Sequence, residues 1–516
     1  RNVEAGEVLW NEGERGFGFF VVLEGEMEII DATGDAPRQV VVHQPGHFSG
    51  DVDMLTGRVS LVTARMFTPG EVLVLDNEHL RGVIGELPEI SELLLRAFLM
   101  RRRLLVGQGF RGIQIIGSRF DPQAHHLREF CSRNDIAHTW IDVEQDPHAE
   151  ALLCRFHVAP EQTPIVIGRG GELLTSPGVA DLARYMGLDA RVADGEVFDL
   201  VVVGAGPAGL AAAVYASSEG LRVLTVEGTA AGGQAGTSSR IENYLGFPAG
   251  ISGADLARNA LLQAQKFGAR ISVPQSAVKL GLEGGLRVVK LDDGSRITAR
   301  CVLVASGAEY RSLDIPGLRD LEGAGVYYAA TEMEARLCAG DEAVIVGGGN
   351  SAGQAAMYLS RYAKKVHICI RGDDLGRSMS RYLVDRIDKA ENVVVHTGHV
   401  VASVEGDETL REVRLLCLER GEETAIPTPA LFLFIGAVPR TGWLNGCVQL
   451  DRRGFVLTGE SIPADGRDGE TWKNTGRAPF FLETSLPGVF AAGDVRAGSV
   501  KRVASAVGEG SMSVSF

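Results

Sequence analysis

Apolar and polar residues change rhythm three times along this chain. Up to about residue 75, short runs of mostly apolar residues at 18–23, 26–30, 40–43, 59–66 and 71–75, separated by glycine and acidic turns, predict strands. From 77 to 105 the period lengthens to that of a helix, with Leu80, Ile84, Ile90, Leu93, Leu94 and Phe98 as its apolar stripe. Arg101, Arg102 and Arg103 are expected to end it as cations at a helix C-terminus. Strand and helix patterns then alternate: strands at 112–116, 138–142 and 163–167, and helices at 122–134 and 148–156. In the first of these helices Leu127 and Phe130 are expected to face inward, and Cys131 to sit in the packed core. A polar stretch, 189–196, reads as a linker. Beyond it, apolar runs at 198–203 and 343–346 each lead into glycines and then an alanine-rich helical pattern.

Those two junctions carry the chemistry. The first reads Gly204-Ala205-Gly206-Pro207-Ala208-Gly209 and the second Gly347-Gly348-Gly349-Asn350-Ser351-Ala352. Glycines at this spacing let a strand turn tightly into a helix whose N-terminal N–H groups can approach a pyrophosphate. One such motif is weak evidence, but two in one chain point to an oxidoreductase that binds two dinucleotides. Glu227 closes the strand after the first motif, where an acid accepts hydrogen bonds from ribose hydroxyls; FAD fits there, and so would NAD. After the second motif the strand at 366–370 ends in Arg371, with Arg377 further on, which can fork onto a 2′-phosphate. Asp373 and Asp374 beside them weaken that preference, so NADPH and NADH both stand as the second nucleotide.

Composition narrows the class. The chain has 516 residues and a net charge of −15, which argues against nucleic acid or an anionic membrane surface as partner. No apolar run approaches the ~20 residues of a membrane span, and the opening residues give no secretory signal pattern. Seven scattered cysteines, Cys131, Cys154, Cys301, Cys338, Cys369, Cys417 and Cys447, form neither a disulfide framework nor a zinc spacing. A cytoplasmic location is the expectation. His125, His126, His148 and His157 meet no metal-ligand spacing and read as solvated helix residues.

Three family resemblances emerge from longer motifs. Gly232-Gly233-Gln234, the stretch from Ile241 to Pro248, Ala305-Ser306-Gly307-Ala308, Ile435 to Pro439 and Pro487 to Val495 together resemble the low-molecular-weight thioredoxin reductases, over about 320 residues from Val197. That resemblance implies two Rossmann-like three-layer ββα nucleotide-binding domains: an FAD domain at 197–313 and 439–516, with an NAD(P)H domain at 314–438 inserted in it. It assigns Gly204, Gly206, Ala208, Gly209, Glu227, Gly233, Gln234, Asn243, Val278, Ala305, Gly307, Gly493, Asp494, Arg502, Val503 and Ala504 to FAD. It assigns Gly347, Gly349, Asn350, Ser351, Arg371 and Arg377 to the nicotinamide nucleotide, and it implies a homodimer. Residues 1–107 resemble the cyclic-nucleotide-binding domains, a β-roll plus helices, through Gly6-Glu7-Val8-Leu9, Phe20 to Glu26 and the cassette Phe48 to Ala64. Gly50, Asp51 and Arg58 stand nearest that family's phosphate ligands, with Asp where it has Glu and a shortened loop, so cyclic AMP is expected to bind weakly or not at all. Removing this module is expected to leave FAD binding intact. Residues 109–188 resemble a thioredoxin or glutaredoxin fold, with Thr163-Pro164 at its cis-proline and Ser118-Arg119-Phe120-Asp121 where its Cys-x-x-Cys would stand.

The departures decide the expected function. Where thioredoxin reductases carry Cys-x-x-Cys, this chain has Ala329 and Glu332, and one nearby thiol, Cys338, cannot make an internal disulfide. Lys501-Arg502-Val503-Ala504 replaces the family's Arg-Gln-Ala beside the flavin, which removes a side-chain hydrogen bond to the ring edge. The leading expectation is a flavoprotein oxidoreductase that passes hydride from NAD(P)H to FAD and on to an acceptor other than an internal disulfide, such as ferredoxin or another carrier. The alternative is an FAD-containing redox sensor with regulatory N-terminal modules.

Overall fold

The computed structural model describes residues 1–31, 38–50, 53–107, 112–147, 149–159, 162–168, 171–190, 192–238, 241, 244–321, 324–328, 330, 332–407, 409–444, 446–467 and 470–516. Asp51, Asn243 and Ala329, and also His148, lie outside the described residues.

The alternating runs at the start build two antiparallel sheets. One orders Asn2–Val3, Gly70–Leu75 and Phe19–Glu24; the other orders Val8–Trp10, Thr63–Met66, Met27–Asp31 and Arg38–His43. Trp10, Phe17, Phe19, Phe20, Met27 and Met66 fill the core with Leu80, Leu94 and Phe98 from the helices that follow. The predicted 59–66 strand shortens to Thr63–Met66, because Ser60 turns inward to accept the Trp10 indole N–H at 2.9 Å and to bond Val62 O at 2.7 Å.

The single predicted helix is two, Asn77–Glu86 and Pro88–Gly107. Proline disfavours a helical residue before it, and Leu87 duly leaves the helical region. The second helix runs past the arginines instead of ending on them. Arg101 turns back, donates to Phe48 O and Gly50 O at 2.9 Å each, and stacks on the Phe48 ring at 4.5 Å. The kink also rotates part of the predicted stripe outward, leaving Ile90 at 42% and Leu93 at 57% exposure while Leu94 and Phe98 are buried.

The alternating segment folds as a four-stranded sheet in the order Leu173–Thr175, Ile165–Ile167, Ile113–Gly117, His138–Asp142, with Ile113–Gly117 and His138–Asp142 parallel. Helices Pro122–Arg133, Ala149–Arg155 and Val179–Met186 flank it. Leu127, Phe130 and Cys131 are buried as expected; burial pushes the Cys131 thiol up to about 12. His125 and His126 are exposed. The Thr163–Pro164 peptide is cis.

The predicted linker is docked rather than free. Ala190 N–H donates to Ser272 Oγ at 2.9 Å, Val273 N–H to Leu188 O at 3.0 Å, and Glu196 accepts a two-pronged bond from Arg270 at 3.0 Å.

Next comes a seven-stranded sheet with the path Arg270–Ser272, Val223–Val226, Val197–Val203, Arg296–Val304, Leu286–Leu291, Ala277–Glu283; Val489–Ala491 joins Arg296–Val304 in parallel. A separate sheet, parallel throughout, orders Val326–Tyr327, Ala430–Leu433, Glu342–Val346, Lys365–Ile370 and Val393–Thr397. A three-stranded antiparallel sheet, His399–Gly406, Leu410–Cys417 and Glu423–Pro427, covers one face of it through Val401, Val404, Val413, Leu415 and Ile426. The chain crosses between these units at Ala308–Tyr310 and Ala437–Pro439, which pair antiparallel. Among the described residues, no helix is long and apolar enough to cross a membrane.

Two histidines are held well below their ordinary range, so the fold is expected to lose stability in acid. Burial, helped by Arg101 and His47, lowers His43 from 6.5 to about 4. Burial and the neighbours His367, His399 and Lys365 lower His396 from 6.5 to about 4, with His396 Nε2 lying 2.9 Å from His367 Nδ1. Between pH 6.5 and 4 the unfolded chain therefore binds protons that the native chain refuses, so stability falls as pH falls through that window. We expect His396→Gln to flatten the decline in unfolding free energy across it, by about 1 kcal/mol after allowing for partial exposure, and the fall in melting temperature with it. A variant curve parallel to wild type would contradict this.

Candidate functional site

The first glycine turn joins Val197–Val203 to the helix Pro207–Ser218. Gly204 has φ +108°, and a Cβ there would overlap the Ala305 carbonyl. Ala305 is itself fixed, its N–H donating to Val203 O at 2.8 Å. Gly206 caps the helix without a side chain, and a Cβ on Gly233 would come to 3.0 Å from Gly206 Cα. The two glycine turns thus face each other as bare backbone at a helix N-terminus, which suits a pyrophosphate.

Glu227 follows the next strand and turns onto the same loop. One carboxylate oxygen accepts Ala205 N–H at 2.8 Å, the other Thr229 N–H at 3.0 Å. A carboxylate has about four acceptor positions, so both oxygens keep capacity for ribose hydroxyls. Gln234 donates to Ala308 O, linking the Gly232–Gly236 turn to the stretch carrying Gly307, whose φ is +67°. Val278, on Ala277–Glu283, leaves its side chain 50% exposed.

A third wall comes from the end of the chain. Gly493 has φ +76°, and the helix Val503–Ser513 packs so closely on Pro207–Ser218 that a Cβ on Gly510 would overlap Ala208 O. Arg502 caps this helix with its side chain exposed; Val503 is half-buried and Ala504 exposed. Burial raises the Asp494 carboxyl above its ordinary range, against the opposing pull of Lys501, which bonds Asp494 O. Sequence reasoning missed what holds this turn. Buried Glu509 accepts Gly493 N–H at 2.7 Å and Arg496 Nε–H at 3.1 Å. The acid between Gly508 and Gly510 was the available signal. The Gly204, Gly206 and Gly233 backbone, the Glu227 carboxylate and the Gly493 turn thus come together at the N-terminus of Pro207–Ser218, an arrangement of bare backbone and one acid that suits a dinucleotide such as FAD.

The second glycine turn repeats the design. Gly347 has φ +138°, and a Cβ there would overlap Phe434 O; Gly349 caps the helix Asn350–Leu359. Asn350 Oδ1 accepts Ser380 N–H at 2.7 Å, and Ser378 Oγ donates to Gly348 O at 2.8 Å, so Ser378 and Ser380 support this loop too. Ser351 and Arg371 are exposed. Arg377 is also exposed and pairs with Asp373 at 3.0 Å. Glu332 begins the short helix Glu332–Leu337 just before this unit.

In the N-terminal roll, Gly50 has φ +97°, and a Cβ there would lie 2.5 Å from Met54 Sδ and 3.3 Å from Phe98. Arg58 is half-buried. Arg101, which sequence reasoning read as a helix-end charge, is the side chain that ties this turn down.

A profile for the pyridine nucleotide-disulphide oxidoreductases matches residues 198–510, and one for the cyclic nucleotide-binding domain matches residues 1–86. The thioredoxin reductase of Listeria innocua is 33% identical over 318 residues, covering 61% of this chain and 92% of its own. A bifunctional thioredoxin reductase/thioredoxin of Mycobacterium leprae is 33% identical over 314 residues, covering 61% of this chain and 64% of its own. The crystal structure of T. acidophilum thioredoxin reductase superposes with a TM-score of 0.54 at 30% identity, over 62% of this chain and 96% of that one. The chain belongs to the pyridine nucleotide-disulphide oxidoreductases, within the thioredoxin reductase-like family that uses FAD and NADPH, and it carries an N-terminal cyclic-nucleotide-binding domain.

Proposed function

We propose that this flavoprotein oxidoreductase takes hydride from a nicotinamide nucleotide and delivers the electrons to an acceptor other than a disulfide of its own. The observation that supports this reading is the cysteine inventory. The closest two thiols in sequence, Cys131 and Cys154, are 23 positions apart, and all seven are free. Cys338, the thiol nearest Glu332, is buried, donates to Glu334 O at 3.3 Å, and is pushed by burial up to about 12. A thiol so held supplies no thiolate at neutral pH. FAD, when bound, supplies the hydride acceptance and onward electron transfer. The chain's own part is to grip the pyrophosphate between Gly206 and Gly233, hold the ribose at Glu227, and brace the Gly493–Asp494 turn through Glu509.

Arg371 is proposed to favour NADPH. We expect Arg371→Ala to raise the KM for NADPH about tenfold and leave that for NADH unchanged, since only the 2′-phosphate would lose its fork. Equal effects on both would remove the assignment. Rapid mixing with each nucleotide, followed by turnover with ferredoxin, quinone or oxygen, tests the whole reading. Bleaching of the flavin with acceptor turnover is the expected result. Bound FAD that neither nucleotide bleaches would favour the sensor reading, which draws on the packing of the N-terminal roll against the helix Gly253–Lys266. For the roll itself we propose action through these contacts, with cyclic AMP bound weakly or not at all; micromolar affinity by calorimetry would overturn this.

A further inference from the structure

The module at 113–186, which carries Cys131 and Cys154 but no Cys-x-x-Cys, packs against the turn that follows Glu227. Its first helix, Pro122–Arg133, ends in Asn134 and Asp135. Asn134 is 7% exposed; its amide donates to Phe130 O at 2.9 Å, which caps the helix, and across to Thr229 O at 3.0 Å. Thr229 is the residue whose N–H holds the Glu227 carboxylate. Asp135, at φ +53°, receives a fork from Arg258, Nε at 2.8 Å and Nη2 at 2.9 Å. Arg258 lies on Gly253–Lys266, and it also bonds Asp255 at 2.8 Å.

That helix has a second task. A Cβ at Gly253 would overlap Ala235 O, and one at Gly232 would come to 2.5 Å from Ala257 Cβ. The helix therefore cannot shift without moving the Gly232–Gly236 turn that faces Gly206. Further contacts make the module part of the same body: Ile271 and Val273, at the edge of the flavin sheet, pack into its core with Phe130 and Met186.

We propose that Asn134 and Asp135 are positioning residues for FAD, clamping the ribose-binding turn 227–229 and the pyrophosphate turn 232–236 from outside the oxidoreductase unit. The module that lacks the Cys-x-x-Cys pair then serves as a structural part of the cofactor site. This rests on the assignment of Glu227 to the adenosine ribose. Replacing Asn134 with Asp keeps the shape and removes the donor to Thr229 O; Asp135→Asn keeps tolerance for positive φ and removes the charge facing Arg258.

The test measures FAD dissociation from the full chain by recovery of flavin fluorescence, and competition by ADP, which offers only the adenosine end. Asn134→Asp and Asp135→Asn are expected to weaken FAD and ADP alike, by about tenfold for an unpaired buried acceptor. The apo Asp135→Asn chain should melt close to wild type, while Asn134→Asp, which also gives up the Phe130 cap, is compared at a temperature where its apo chain is folded; Arg119→Ala, elsewhere on the module, should change neither affinity. Unchanged FAD affinity in both variants overturns the clamp, as does weakened FAD with unchanged ADP. Should Asn134→Asp fail to fold, Arg258→Lys, which loses the fork but keeps the charge, takes its place under the same criteria. A wild-type chain that takes up no FAD overturns the ribose assignment itself.

Discussion

Gly204→Ala is expected to yield a folded chain that has lost most of its FAD. Two costs fall on the same residue. Its φ of +108° is one that alanine resists, at about 1–3 kcal/mol. The new methyl would also overlap Ala305 O, on the residue after Arg296–Val304 whose N–H is held by Val203 O at 2.8 Å. Relief requires the turn to back away from the sheet, carrying Gly206 and the helix N-terminus with it. Gly220→Ala is the matched control, since Gly220 also has positive φ, at +81°, but nothing lies within 4 Å of its added methyl. Flavin absorbance after desalting reads the difference; equal retention in the two variants would dissolve the assignment of Gly204 to the cofactor cleft.

The second large expectation is an absence. With NADPH supplied, neither thioredoxin nor a small aromatic disulfide should be reduced above the rate of free flavin. Electron transfer from flavin to a dithiol passes through a nearby thiolate, and a paired thiol must then close the disulfide. Cys338 fails on both counts: its thiol is buried and raised to about 12, and no other cysteine lies within 30 residues of it in sequence, Cys369 being 31 away. Cys338→Ser should therefore change nothing in this assay. Thioredoxin turnover that survives this substitution would sink the proposed acceptor class.

Much of the oxidoreductase half was legible because its signals are local. Gly204, Gly347 and Gly493 each take a backbone angle that glycine adopts freely, and each ends a strand whose apolar run is read from the sequence directly. Glu227 was legible for the same reason, being fixed by its distance from the glycine turn. The residues proposed to brace the cleft were not. Asn134 meets Thr229 across 95 positions, Arg258 meets Asp135 across 123, and no periodicity records a partner that far away. Arg101 misled for a related reason. A basic run at the end of a helical pattern has an ordinary local explanation, whereas its carbonyl partners lie 51 and 53 residues upstream. Ile90 and Leu93 fell off the predicted stripe because Pro88 restarts the helix with a new phase.

The late strand Val489–Ala491 has a consequence for how the protein is made. It pairs with Arg296–Val304, and the helix after it lies directly on the one that follows Gly206. A ribosome delivers both only after the whole intervening five-stranded unit has emerged. Until then the first glycine turn stands without the wall that Gly493 and Glu509 provide. A chain that stops before Val489 is therefore expected to leave the first glycine turn open on one side and to hold flavin less tightly.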